Sequence, residues 1–342
     1  MSTIISTFAI ELTILEKMAT STARIFVYRL TFESYLKDLN DEPSVESMKD
    51  LADELFDLID EKLSFQDGKG RPVEADNLTK FGKEMLYFRM EKQSQRTLNA
   101  EKSHKENHVM DFPYFSVVFD FRHSDDYILM GIEHKSAAFQ DIDYVRKNIE
   151  VCLDELFRKK QPYNVRIRPI SIKDEFWKKV RLLCSNGKDR LQSIGLQIPN
   201  IKTSFPLSVN ERERMMLEEF LKYGMGIRAT YANFDYGLPE DASVSEVEEY
   251  FDMMSHIACK NGYEIKATLD SGRVISSAKD SAASYPLDKS IIADVNDEVE
   301  EKLPFQEQRK KLAAWFDEIY PDLKLIEQEE QNAGKNKRHI KK

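Results

Sequence analysis

Short runs of β-branched and aromatic residues, separated by amphipathic helical segments, constrain the fold of this chain more than any other feature. Residues 24–32 (RIFVYRLTF) are typical of a strand, and residues 114–121 and 127–133 flank a polar turn as the strands of a hairpin do. The strands occur mostly as hairpins and do not alternate regularly with helices. This pattern predicts the α+β class, with antiparallel, hairpin-rich sheets packed with helices in two domains. Further strands are predicted over residues 85–90, 163–170, 191–198, 227–234, 263–269 and 273–277.

Apolar residues at helical spacing mark the segments between these strands. Behind the potential cap Ser44, for example, Leu51 and Leu55 recur on one side of a helix. Glycine and proline predict a loop at residues 66–76, and the polar segment 93–107 is predicted to be a mobile connection. Helices are predicted over residues 44–63, 141–160, 173–184, 208–223, 243–260 and 304–320.

A candidate domain boundary lies at residues 201–207 (IKTSFPL), between two groups of predicted elements. Met18 is a second plausible start of the chain, because it shortly precedes the first predicted strand. The sequence thus predicts four parts: an N-terminal extension at 1–22, an α+β domain with a basic surface at 23–200, a smaller α+β domain with an acidic helix at 207–325, and a basic disordered tail at 326–342.

The cysteines and the apolar runs bear on location. Cys152, Cys184 and Cys259 are odd in number and far apart, so we expect reduced thiols, as in the cytosol. No apolar run approaches the roughly 18 residues that a membrane helix needs. The sequence therefore predicts a cytoplasmic protein that does not insert into a membrane.

Charge is distributed unevenly along the chain. Residues 146–190, here called the basic segment, hold 13 Lys or Arg and six Asp or Glu, a formal charge of +7 in a chain whose formal net charge is −10. A local excess of cations against the charge of the whole molecule favours a local anionic partner. Clustered cations suffice for phosphate binding, and no fingerprint of a sequence-reading motif accompanies them. Non-sequence-specific DNA binding is therefore the leading functional prediction.

The predicted phosphate contacts lie on one strand and two helices, which could together display a positive surface. A solvated helix end is the alternative for the first three of them, since cations oppose the helix dipole at a C-terminus. The predicted contacts are Arg158, Lys159, Lys160, Arg166, Arg168, Lys178, Lys179 and Arg181.

Glu133-His134-Lys135, at the end of the second hairpin strand, matches the (D/E)-x-K arrangement of metal-dependent nucleases. With residues 114 and 133 opposite each other in the hairpin, Asp111 lies near this motif. Asp111, Glu133 and Lys135 then form a candidate catalytic set; the alternative is that Glu133 and Lys135 are ordinary exposed charges at a strand end. The sequence contains no phosphate loop, no nucleophile elbow and no complete zinc ligand set. It therefore favours a non-enzymatic role without a cofactor or a bound metal.

Residues 111–201 contain short apolar stretches in a particular order. Phe112-Pro113-Tyr114-Phe115 opens a hairpin, a helix follows, and then come Val165-Arg166-Ile167-Arg168-Pro169-Ile170 and Gln197-Ile198-Pro199. In this order the segment resembles the RexA-type proteins of temperate-phage exclusion and is similar to KwaB-type antiphage proteins. The resemblance implies a cytoplasmic, dimeric, non-sequence-specific DNA-binding protein that acts in bacterial or prophage defence, by exclusion or abortive infection. RexA-type pairs further imply a membrane-protein partner encoded nearby.

The acidic helix predicted at 243–260 and the acidic stretch 294–301 point to a competing function. Glu246, Glu248 and Glu249 could dock a basic protein, or they could meet the basic segment of a second subunit. The chain is then an oligomerising, protein-interaction or sensor subunit that binds no nucleic acid.

Overall fold

The computed structural model describes residues 22–34, 47–60, 62–99, 106–125, 127–185, 189–199, 204–205, 215, 218–219, 231–293 and 303–336. Helices and antiparallel sheets are mixed in the α+β manner that the sequence predicts. The predicted extension at 1–22 lies outside the described residues except for Thr22, and so does most of the predicted boundary at 201–207. No described helix is long and apolar enough to cross a membrane.

The elements are numbered along the chain. The described helices are α1 (Met48–Leu58), α2 (Ile142–Arg158), α3 (Lys173–Cys184), α4 (Val244–Lys260), α5 (Ser277–Asp280) and α6 (Phe305–Asn336), and a 3-10 turn spans Lys289–Ile291. The described strands are β1 (Thr22–Ser34), β2 (Ser64–Gln66), β3 (Pro72–Phe81), β4 (Met85–Lys92), β5 (Ser94–Asn99), β6 (Glu106–Asp111), β7 (Tyr114–Asp120), β8 (Ile128–Glu133), β9 (Tyr163–Pro169), β10 (Leu191–Pro199), β11 (Ser204–Phe205), β12 (Tyr231–Gly237), β13 (Ile265–Leu269), β14 (Val274–Ser276) and β15 (Ser284–Asp288).

Two polar segments differ from their predicted structure. Strand β3 begins inside the predicted loop at 66–76, because Val73 and Ala75 alternate inward beneath polar neighbours. The described parts of the predicted mobile connection at 93–107 belong mainly to strands β5 and β6, which extend the β4–β7 pair as a two-stranded ribbon. Helix α6 continues through Asn336, into the segment predicted to be a disordered tail.

A nine-stranded antiparallel sheet forms the first core, with β1 at its centre. Strand β8 pairs along one edge of β1, while β15 and β9 share the other edge in sequence. Side chains alternate between the two faces of β1, so the sheet needs a cover on each side. Leu30 and Phe32 pack with α1 and α2 on one face, and Ile25 packs with Phe316 of α6 on the other.

A four-stranded sheet in the order β12-β10-β13-β14 forms the second core, together with α3 and α4. Strand β10, which the sequence places in the first domain, pairs with β12 and β13 and buries Ile194 against them. After β14 the chain returns to the first sheet with β15 and α6. The cores therefore do not divide at residue 200, because the buried face of β10 matches the second core.

Two of the places where the chain passes between the cores, near Ser171 and near Ala282, form together with Gly262 what is here called the joint. Ser171 bridges to Ala282, and the Ile172 N–H donates to the Ser281 carbonyl over 2.9 Å. Gly262 adopts a positive φ of 69° and lies so close that a Cβ there would stand 2.3 Å from the Cβ of Arg168. Only glycine fits this approach, so the joint is a closely packed contact.

Candidate nucleic-acid interface

The basic segment runs along α2, β9 and α3, and its charges do not gather on one surface. Arg158-Lys159-Lys160, here called the basic run, lies at the end of α2 beside the first residue of β9. Lys178, Lys179 and Arg181 lie on α3, which begins beyond the other end of β9. Seven residues of strand span about 20 Å. The two groups therefore lie at opposite ends of β9.

Arg166 and Arg168 of β9 are held by one buried carboxylate. The Arg166 Nε donates to the Glu33 Oε2 over 2.9 Å, and Arg168 Nη2 donates to the other oxygen of Glu33. The Glu33 side chain is only 4 % exposed. Removing both arginines would leave the buried Glu33 charge unpaired, and removing one would leave one of its oxygens without a partner, so both guanidinium groups serve the fold.

Arg168 also contacts the second core. Its Cζ lies 4.0 Å from the centroid of the Tyr263 ring, which is fully buried. Burial opposes the charge of Arg168, but Tyr263 and Glu33 outweigh it and raise the pKa of the guanidinium above its usual range. The side chain therefore stays charged and links β1 to the second core.

The α3 cations form ion pairs, three of them with carboxylates of the second core. Lys173 pairs with Asp252 over 3.0 Å, Lys179 pairs with Asp280 over 2.5 Å, and Arg181 pairs with Glu248. Lys178 pairs with Glu175 of its own helix over 3.0 Å. These contacts fix α3 against α4 and α5, and they neutralise the three cations of α3 that the sequence assigns to phosphate binding.

The basic run is the most open part of the segment. Arg158 is half exposed; its Nε donates to the Asn164 side chain over 2.6 Å and lies 3.0 Å from Asp154. Lys159 and Lys160 are exposed, and no described carboxylate lies within ion-pair distance of either. Of the eight predicted phosphate contacts, these two lysines are best placed to meet an outside anion.

Charged side chains of α2 occupy the outer edge of β9. The Val165 N–H donates to Asp154 over 2.8 Å, and the Ile167 N–H donates to Glu150 over the same distance. Arg146 donates to the Ile167 carbonyl over 2.5 Å. Burial raises the pKa of the Glu150 carboxyl. Since these groups satisfy the edge, β9 offers little backbone for another strand to pair with.

The candidate catalytic set differs from its predicted geometry. Ser116, rather than residue 114, faces Glu133, because β7 and β8 pair Val117 with Ile132. Glu133 is 6 % exposed, and its Oε2 accepts the Ser116 N–H over 3.0 Å, so the prediction of an exposed charge is wrong for this residue. The Lys135 Nζ lies 3.5 Å from the centroid of the Tyr114 ring.

Asp111 ends β6 and is half-buried. Within the described ranges, no three His, Cys, Asp or Glu side chains lie close enough together to hold a metal ion. Glu133 is thus engaged with the sheet backbone, and Lys135 with an aromatic ring. The side chains of this region fit structural roles better than they fit a metal site.

An open surface lies on α4 and the neighbouring strand β12. Glu246 and Tyr250 are four residues apart on α4 and so lie on one side of the helix, and Tyr250 is 84 % exposed. The Phe251 ring lies 5.5 Å from the Tyr250 ring and 5.2 Å from the Tyr236 ring of β12. The exposed residues of this surface, here called the acidic–aromatic face, are Asp235, Tyr236, Asp241, Glu246, Glu249 and Tyr250.

The sequence prediction included the acidic helix but missed both tyrosines. Val247, Phe251 and Met254 mark the buried side of α4 at helical spacing, and Tyr250 falls outside that stripe. This spacing could have placed Tyr250 outward. The position of Tyr236 depends on the pairing of β12 with β10, which no local pattern reveals.

No protein-family model and no curated protein matches this chain. The resemblance of residues 111–201 to RexA-type and KwaB-type proteins therefore stays a prediction. The functional argument depends on the geometry of the charged surfaces.

Proposed function

We propose that this chain is a protein-interaction component, and that its acidic–aromatic face binds a basic protein surface. One observation carries the proposal: the cations of the basic segment are mostly paired inside the fold, whereas the exposed carboxylates around Tyr250 pair with no cation among the described residues. Glu246 also accepts the Ser243 N–H in the cap of its own helix. The open charge of the described surface is therefore acidic at the place where an aromatic side chain is also exposed.

The residue types of the face suit protein recognition. Tyrosine supplies a large apolar contact with a polar end and is enriched among residues that dominate binding energy. Surrounding carboxylates steer a cationic partner and set its orientation. Asp252 and Glu248 pair with α3 on the flank of the same helix, so α4 is held rigidly while its outer side stays open.

A short Lys- and Arg-rich peptide with a fluorescent label tests this function. We expect the anisotropy titration to show binding that weakens as salt rises, because exposed charges are screened. Glu246→Lys with Glu249→Lys should weaken binding at least about tenfold, since like charges then face each other. Glu318→Lys, an exposed glutamate on α6, is the matched control and should bind as the wild type does. Equal binding by all three proteins would refute the proposal.

The biological setting is part of the same proposal. The order of apolar stretches from residue 111 to residue 201 supports a component of a bacterial or prophage antiphage system, in the cytoplasm, as a homodimer, with a membrane protein encoded nearby. In that setting the basic partner of the acidic–aromatic face belongs to the same assembly.

Non-sequence-specific DNA binding is a second candidate, which the exposure of Lys159 and Lys160 favours. A duplex titration at several salt concentrations tests it. Each lost phosphate contact should reduce the log–log salt slope by about one, so Lys159→Gln with Lys160→Gln should lower it by about two. Absence of binding at low salt would remove this candidate and leave the interaction proposal untouched.

A further inference from the structure

We infer that the basic run of a second copy of this chain occupies the acidic–aromatic face, an inference that rests on the proposed function. The two surfaces have opposite charge. The basic run carries three cations in sequence, and the face carries the carboxylates Asp235, Asp241, Glu246 and Glu249. Each surface is exposed, and each includes or adjoins a helix that its own core holds in place.

The basic run projects at the turn between α2 and β9. Lys159 and Lys160 follow the last residue of the helix, and Pro162 beyond them is also exposed. Helix C-termini carry partial negative charge, so cations there are stabilised in an ordered position. The run is therefore a compact positive projection on a rigid support, which suits insertion between carboxylates.

The two surfaces of one copy stand apart. The basic run lies at the start of β9, and the second core attaches at the other end of this strand, through Arg168 and the joint. The strand spans about 20 Å. The pairs Lys173–Asp252 and Arg181–Glu248 then hold α4 against α3, so the face stays with the second core.

Twofold symmetry would let the contact form twice. The basic run of each copy then meets the face of the other, as in an isologous pair. Tyr250 contributes the apolar part of each contact, because the lysine stems can lie against its ring while their ammonium groups reach Glu246 and Glu249.

Charge-swapped variants test this inference by sedimentation velocity at micromolar protein. One variant combines Lys159→Glu with Lys160→Glu, and the other combines Glu246→Lys with Glu249→Lys. We expect the wild type to dimerise at low salt and each variant alone to dimerise at least about tenfold more weakly. An equimolar mixture of the two variants should recover dimers, because every contact between unlike copies again joins opposite charges.

Lys69→Glu and Glu318→Lys are the matched controls, since both residues are exposed and lie outside the two surfaces. They should dimerise as the wild type does. A wild type that is monomeric at low salt overturns the inference, and so does a mixture that stays monomeric. A monomer that still binds the basic peptide would leave the proposed function standing, so the two failures are distinguishable.

Discussion

The basic segment and the acidic–aromatic face use charge in opposite ways. Arg166 and Arg168 converge on the buried Glu33, and the α3 cations pair with carboxylates from the second core. On the face, by contrast, Glu246 and Glu249 are exposed beside Tyr250, and no described cation pairs with either of them. The charges of the first region mostly form ion pairs that stabilise the fold, whereas the charges of the second region are exposed and can bind a partner.

The difference teaches that a charge excess in a sequence is not a charge excess in space. The partners of the basic segment come from residues far along the chain, such as Glu33 and Asp280. A count along the chain cannot include them, because only folding brings them within a few ångströms. Of the positive surface that the number of Lys and Arg in the basic segment predicts, mainly the basic run is left exposed.

Removing the carboxylate that two arginines share should have the largest effect. Glu33→Gln keeps the shape of the side chain but removes the buried negative charge that Arg166 and Arg168 share, so we expect a loss of about 3 kcal/mol in unfolding free energy. Glu175→Gln is the matched control: it removes only a surface pair with Lys178 and should change stability by about 0.5 kcal/mol or less. Urea unfolding measures the unfolding free energy of both variants. Equal losses would show that the buried pairing of Arg166 and Arg168 with Glu33 does not stabilise the fold more than a surface ion pair does.

The joint that positions the two regions should tolerate no side chain at Gly262. Gly262→Ala places a Cβ against Arg168 at a positive φ, and we expect a loss of about 2–3 kcal/mol. Gly272 also has a positive φ, of 80°, but has open space around it. Gly272→Ala should therefore lose only about 1 kcal/mol. Thermal unfolding of the two variants compares them, and a smaller loss at Gly262 would contradict the close contact.

Asp67 is a buried, ion-paired carboxylate that lies outside both regions, and it extends the comparison to pH dependence. Burial opposes its charge, but hydrogen bonds from Arg71 and from the Lys69 N–H outweigh burial and hold the pKa of this carboxyl well below its usual range. A lowered pKa stabilises the fold above the unfolded value near 4, and the contribution is lost as pH falls. Asp67→Asn should lose about 2 kcal/mol at neutral pH. That difference from the wild type should shrink between about pH 5 and pH 2 in urea titrations, and a constant difference would speak against it.

The smallest effect on stability is expected at the open face. Tyr250→Ala and Glu249→Gln remove side chains that lie mostly in solvent, so each should change the unfolding free energy by about 0.5 kcal/mol or less. Peptide binding should nevertheless weaken in both variants. A stability loss comparable with that of Glu33→Gln would mean that these side chains stabilise the fold and are not available to a partner.

Local patterns predicted most of the elements and few of their partners. Helix α3 spans the predicted residues 173–184, because Phe176 and Val180 recur at helical spacing on the buried side. Strands β5 and β6 were missed, since their residues are polar and only their register with each other makes them strands. In the candidate catalytic set, the strand pattern placed Glu133 correctly at the end of a strand. The register of β7 and β8 then decided that its carboxylate is buried against the Ser116 N–H.

The sequence by itself determined the α+β class, the position of the main helices and strands, and the presence of a basic segment and an acidic helix. These follow from periodicity and composition, which act over a few residues. The tertiary structure alone decided that β10 belongs to the second core, that Glu33 neutralises two arginines, and that the acidic helix keeps an open side. Ion pairing acts over a few ångströms of space between residues more than a hundred positions apart, so no local pattern contains it.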